Sequence, residues 1–420
     1  MSDQKNAITA RSIRISAVIF GCLAIVVLAG TLAGRRFNTF AAPEITIAVQ
    51  PLPSPAGANS SEPQLTTEGS RVILSWLEVA GERATLKFAE RTPTGWSAPQ
   101  TVASGNNFFV NSYDVPSVRA LADGTLAAHW METNGPDPDA SKVRLSWSRD
   151  QGHTWSRAVS PHHDGTMTEH GFVSMFQVPG AGLGLVWIDG RATNPEKETG
   201  DMSLRFSVYD ASGKQLRETV VDPRVCECCS TAAAETSDGV VVAFRNRSAR
   251  EIRDIYVSRF SGDRWSTPAV VHEDGWRIDA CPINGPAISA NGRDVAVAWF
   301  MAKDDQGRAF VAFSHDAART FGAPIRVDDA SSLGRLGVQM LPDGSAAVSY
   351  IEFADKHSQL RVRKISSAGV RSAAVTIADT SGGRYPRIAR DRDGLVFSWT
   401  EAGDSGPSTV RTARATIPLK

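Results

Sequence analysis

Net charge is what this 420-residue chain lacks. Its 45 lysines and arginines face 45 aspartates and glutamates, which leaves no broad electrostatic footprint for nucleic acid or an anionic surface. Cysteine is scarce, five in all, and the length is ample for burying a large core. Long uncharged apolar runs are absent but for one, Ile15 to Gly34, about the 20 residues needed to span a bilayer. Lys5, Arg11 and Arg14 precede it while Arg35 and Arg36 follow, so the positive-inside comparison favours a cytoplasmic N-terminus only weakly. The run reads as an uncleaved signal anchor, or as a signal peptide with a small-residue site at Ala41-Ala42. Either way the remainder is expected outside the cytoplasm.

What is present is repetition. Hairpin turn signals occur at Glu68-Gly69, Asp123-Gly124, Pro179-Gly180-Ala181-Gly182, Asp238-Gly239, Asn291-Gly292, Asp343-Gly344 and Asp393-Gly394, recurring every 50 to 59 residues. Asn-Gly and Asp-Gly between apolar runs are the strongest short-range hairpin signal. Five to seven residues after each turn an aromatic closes a β-type run: Trp76, Trp130, Trp187, Phe244, Trp299, Tyr350 and Trp399. Seven phased units of short strands predict an all-β, seven-bladed β-propeller behind one transmembrane helix.

Repeat two shows four strands: Pro116 to Leu121, Thr125 to Trp130, Val143 to Trp147, and a short outer one after Trp155. Repeat seven ends too early for its own fourth strand. The β-run Glu44 to Gln50 is therefore expected to close the ring on blade seven. The organisation reads as a cytoplasmic N-terminus (1–14), an anchor (15–34), a linker with the closing strand 44–50 (35–63) and the propeller (64–420).

Turn phasing also orders the face on which the inner strands begin. About ten residues before each turn glycine lie Asn59, Asp114, His170, Cys228 with Cys229, Cys281 with Pro282, Gly334 with Arg335, and Arg384, expected to ring the channel mouth. Two residues beyond each phased aromatic lie Glu78, Glu132, Asp189, Asn246, Met301, Glu352 and Glu401. That row is either an acidic pocket wall able to supply an acid, a base or a cation site, or a set of edge carboxylates paired with arginines of neighbouring blades. It lapses at blades four and five, where Cys226, Cys228, Cys229 and Cys281 fall. Those cysteines read as disulfides, with Cys281 bonded to a blade-four cysteine and a second bridge in the cluster. The other reading is a thiolate metal site joined by His170; no further cofactor is expected. Beside them Arg245, Arg247, Arg250 and Arg253 form a basic cluster, suited to an anion or to pairing with Glu251 and Asp254.

Ser148-Arg149-Asp150-Gln151-Gly152-His153-Thr154-Trp155, with its degenerate copy Ser314 to Phe321, resembles the Asp-box of sialidase-type β-propellers. In that family the boxes lie on the outer rim, and the fold has six blades, the alternative to seven here. The resemblance implies three arginines gripping a carboxylate, a tyrosine nucleophile activated by a glutamate, and an aspartate as acid/base. Candidates for the clamp are Arg245, Arg247, Arg191 and Arg387; Tyr113 or Tyr350 with Glu352 would be the nucleophile pair, and Asp114 the aspartate. Asn284 and His170 complete the ligand-binding set. The family's Phe/Tyr-Arg-Ile-Pro motif is missing, Tyr385-Pro386-Arg387-Ile388 having similar letters in another order. The Cys-x-Cys-Cys string and the stretch Gly275-Trp276-Arg277-Ile278 to Pro286 resemble bacterial envelope proteins of sialidase-like type. The combined expectation is an inner-membrane, periplasm-facing propeller whose axial pocket binds an anionic small molecule or glycan, either hydrolysing it as a glycosidase or acting as a scaffold for an envelope protein partner.

Overall fold

The computed structural model describes residues 47–417 apart from 181, 195–196, 198, 381–384, 393 and 403–406. The apolar run 15–34 lies outside the described residues, and among these no helix is long and apolar enough to cross a membrane.

Alternating and continuous apolar runs build two kinds of strand. Outer strands such as Arg83–Glu90 alternate buried and half-exposed positions, the mark of one covered face. Second strands such as Gly239–Arg245 are buried along nearly their whole length, because both faces pack on neighbouring blades. Seven antiparallel sheets result, and each predicted turn joins the first two strands of one sheet. The count of seven is therefore that of the repeats. Blade two departs from expectation: it has three strands, Ser117–Ala120, Leu126–Thr133 and Ser141–Ser148, and its outermost position is reduced to the single bridge Leu145↔Val159.

One apolar cluster fills each blade-to-blade interface. Between blades one and two it includes Ile73, Phe88, Val118 and Trp130; between seven and one it includes Leu52, Leu74, Trp76 and Val410. All seven phased aromatics are buried.

Closure follows the expected route. Ala48–Leu52 pairs antiparallel with Thr409–Thr416, running from Ala48↔Thr416 to Leu52↔Thr412, and becomes the outermost strand of blade seven. The Thr412 hydroxyl donates to the Leu52 carbonyl at 2.6 Å, and the Val410 amide to Ser60 Oγ at 2.9 Å.

The two motif octapeptides fold alike. Asp150 accepts from Ser148 Oγ, the Thr154 amide and Thr154 Oγ1 at 2.8, 2.9 and 2.6 Å. Asp316 repeats this with Ser314 and Thr320 at 2.8, 2.9 and 2.7 Å. Trp155 packs edge-on against Phe88 of blade one, 6.0 Å between centroids, so the octapeptide turn helps to hold neighbouring blades together.

A chain beginning at Pro53 lacks the closing strand and leaves the edge of Thr409–Thr416 unpaired. Calorimetry should place its Tm about 5 °C or more below that of a chain beginning at Glu44, with aggregation that rises with concentration.

Candidate functional site

The acidic row is a structural device. In five blades the aromatic of the second strand stands across the ladder from a cation on the third: Trp76↔Lys87, Trp130↔Arg144, Trp187↔Arg205, Tyr350↔Arg361 and Trp399↔Arg411. That cation pairs with the acid two residues beyond the aromatic: Lys87 with Glu78 at 2.6 Å, Arg144 with Glu132 at 3.6 Å, Arg205 with Asp189 at 3.7 Å, Arg411 with Glu401 at 2.6 Å, and Arg361 with Glu352. Indole N–H groups of Trp76, Trp130 and Trp187 donate to the same carboxylates. Where the acid is replaced, at Asn246 and Met301, the facing residue is aromatic, Tyr256 or Phe310. The partners belong to the acid's own blade, not to a neighbour.

This corrects the expected nucleophile pair. Glu352 is fully buried and also accepts the Asp329 and Ala330 amides, each at 2.8 Å. Tyr350 packs in the cluster between blades five and six. Its hydroxyl has no hydrogen-bond partner, and burial pushes its pKa up. Neither lines the axial cavity.

The expected clamp is likewise spent on structure. Arg245, 2 % exposed, donates to the carbonyls of Asn284, Arg253 and Phe300 and lies 4.8 Å over the Trp276 ring. Arg247 pairs with Glu251 at 3.0 Å and Glu227 at 3.5 Å. Arg191 pairs with Asp189 at 2.7 Å and Glu218 at 2.8 Å. His170 is buried away from the cysteines, its ring stacked 3.8 Å from that of His162 and its Nε2 3.3 Å from Asp164; burial, then the charge of His170, lowers His162 to about 4.

What the fold does bring to the axis comes from irregular starts of inner strands. Register shifts interrupt the first hairpins of blades one, three and six beside Glu62, Phe172 and Arg335. Those residues have φ of 57°, 55° and 57°, a left-handed backbone that costs energy outside glycine and clusters at functional sites. Asp114 holds the blade-three distortion by accepting the Phe172 amide at 2.7 Å, and Gly171 leaves no room for a Cβ beside that carboxylate.

The axial cavity has a volume of about 480 Å³, and Tyr113, Asp114, Phe172, Arg335, Tyr385 and Arg387 are among the residues that line it. Arg335 donates to the Ile283 carbonyl and the Tyr385 hydroxyl, and its amide donates to Asn284 Oδ1 at 2.9 Å. Both Arg335 and Arg387 lie over the Tyr385 ring, at 4.0 and 5.6 Å. No ion pair joins either to a carboxylate among the described residues. Burial first, and then the charge of Arg335, lowers Arg387 to about 10, while Arg387 Nε has no partner. Asp114 is 2 % exposed; burial raises it to about 7, and its Oδ2 is unpartnered. Glu169 is pushed to about 9 by burial and by Asp114. Of the sequence candidates, the cavity thus takes Asp114, Tyr113, Arg335 and Arg387. Asn284 stands behind it as a support for Arg335. Tyr385 was visible only as part of a scrambled motif.

Cys228 is disulfide-bonded to Cys281, as expected for Cys281 and blade four, whereas Cys226 and Cys229 are unbonded, so the expected second bridge is not formed.

No protein-family model and no curated protein matches the sequence. Among solved structures, the polysaccharide lyase Uly1 superposes with a TM-score of 0.53 at 12% identity, over 85% of this chain and 90% of that one. The Hadza microbial sialidase Hz136 gives 0.41 at 15%, over 76% and 66%, and the phage phi92 endosialidase 0.47 at 10%, over 90% and 70%. The likeness to Uly1 is one of fold, which many chemistries share.

Asp114 keeps its proton to about pH 7 in the folded chain, against a usual value of 3.8. Between those values the folded state binds the extra proton, so this group makes stability fall as pH rises. Asp114→Asn should abolish that part of the fall, raising Tm relative to the parent by about 3 °C or more at pH 8 but not at pH 4. Equal offsets at both pH values would contradict the assignment.

Proposed function

We propose that the protein binds a carboxylate-bearing saccharide at the axial mouth. The observation that carries this reading is the pair Arg335 and Arg387, stacked on one tyrosine and facing the cavity without a carboxylate of their own. Arg387 Nε is buried without a hydrogen-bond partner, which is costly for a guanidinium; a ligand carboxylate would supply the missing charge and accept in a bidentate manner. Tyr113 and Phe172, stacked 6.2 Å apart, add aromatic surface on the blade-two side. Protonated Asp114 offers a donor and removes the repulsion that a charged aspartate would exert on an anionic ligand. On this reading the apolar run 15–34 anchors the propeller to the inner membrane, with the mouth displayed in the periplasm.

Bond cleavage is the second reading, supported by the raised pKa of Asp114: an acid that holds its proton near neutrality can protonate a glycosidic oxygen. Calorimetric titration with sialylated and uronate oligosaccharides should detect binding that weakens by about 10-fold or more in Arg335→Ala and Arg387→Ala, with Tm confirming that each variant folds. Undiminished binding in both would remove the proposal. Release of product from fluorogenic sialosides or uronides by the parent but not by Asp114→Asn, with binding retained, would establish catalysis; no release leaves a binding propeller.

A further inference from the structure

The four cysteines of the propeller converge more closely than one bridge requires. Cys226 Sγ lies 3.2 Å from Cys229 Sγ and 3.8 Å from Cys228 Sγ, and Cys228 is bonded to Cys281. Two separate disulfides would sort the sulfurs into pairs; here one sulfur touches two others. Ligands that share a cation are arranged in this way: zinc–sulfur bonds of ~2.3 Å put tetrahedral sulfurs roughly 3.8 Å apart.

Hydrogen-bond donors meet these sulfurs. Arg253 Nη1 donates to Cys226 at 3.3 Å, and backbone amides of Cys228 and Asn284 point to Cys226 and Cys229. Glu227, within the same string, is engaged by Arg253 and Arg247. Arg245 and Arg253 are each only 2 % exposed. Four thiolates around a divalent cation carry two excess negative charges; Arg245 and Arg253, the latter also paired with Glu227 and Glu251, offset part of them. Cys226, Cys228 and Cys229 are buried while Cys281 is exposed, so the cluster has a dry interior and one ligand open to solvent.

We propose that Cys226, Cys228, Cys229 and Cys281, in their reduced form, hold one thiophilic cation, Zn²⁺ or Cu⁺, in the crevice between blades four and five. Loading starts from four thiols, releases up to four protons to solvent and transfers no electrons. The Cys228–Cys281 bond is the metal-free alternative; a disulfide oxidant that takes two electrons from those two thiolates forms it and frees the cation. The cation would also tie down residues 281–285, which carry Ile283 and Asn284 to Arg335.

The full chain, reduced with a phosphine under anaerobic conditions and freed of reductant, is titrated separately with Zn²⁺ and Cu⁺ against chromophoric chelators. One equivalent of either cation per chain should bind and protect four thiols from alkylation. Cys226→Ser should weaken binding by at least about 10-fold, the cost already met when outer-shell partners are lost, as should oxidation of the parent, which needs no variant. Cys22→Ser should bind like the parent. Sub-stoichiometric binding by the reduced chain, equal affinity in its oxidised form, or a reduced chain that loses its near-UV circular dichroism and does not regain it with either metal would overturn the site.

Discussion

Closing seven sheets into a ring requires each second strand to be covered on both faces, and this constraint governs almost every polar group nearby. An aromatic, an acid two residues on and a cation across the ladder fill that strand in five blades. Where the acid is buried, as at Asp189 and Glu352, it must have its partners within the blade. Five carboxylates, four arginines and a lysine are consumed in this way. Chemistry is left to positions where the strand register or this pattern fails.

Those failures are of two kinds. In blades one, three and six the inner strand bulges at its start, turning Glu62, Phe172 and Arg335 into a left-handed backbone; Phe172 and Arg335 line the axial cavity. Blades four and five drop the acid altogether, and there Arg245 turns inward to grip the carbonyls of residues 253, 284 and 300 instead of a carboxylate. One departure opens the mouth; the other makes room for the cysteines. Residues 281–285 join the two, bonded to Cys228 at one end and to Arg335 through Ile283 and Asn284 at the other.

The fold was legible because its signals are local and repeated. Asp-Gly and Asn-Gly turns with a phased aromatic need no knowledge of neighbours, and the orphan β-run before blade one pointed to closure on blade seven. The site was only partly legible. Asp114 followed from phasing, since regular strands start at a common level. Arg245, Arg191 and Glu352 misled because charge type in a sequence does not reveal whether a partner waits across the ladder, here Glu218 and Asp189 for Arg191 and Arg361 for Glu352. The same phasing reached Arg335, but its stacking on Tyr385 between blades six and seven is something no spacing rule records.

The closing strand also sets an order of events. Ala48–Leu52 is among the first of the described segments to be synthesised, and its partner Thr409–Thr416 among the last. Among the described residues this ladder joins positions 368 apart at Ala48↔Thr416, and contacts of such long sequence separation form slowly. Throughout synthesis the first strand must wait with its edge open, and blade seven cannot assemble around it until the chain is nearly complete. Blades one to six hold all of their own strands, so the wait falls on blade seven alone.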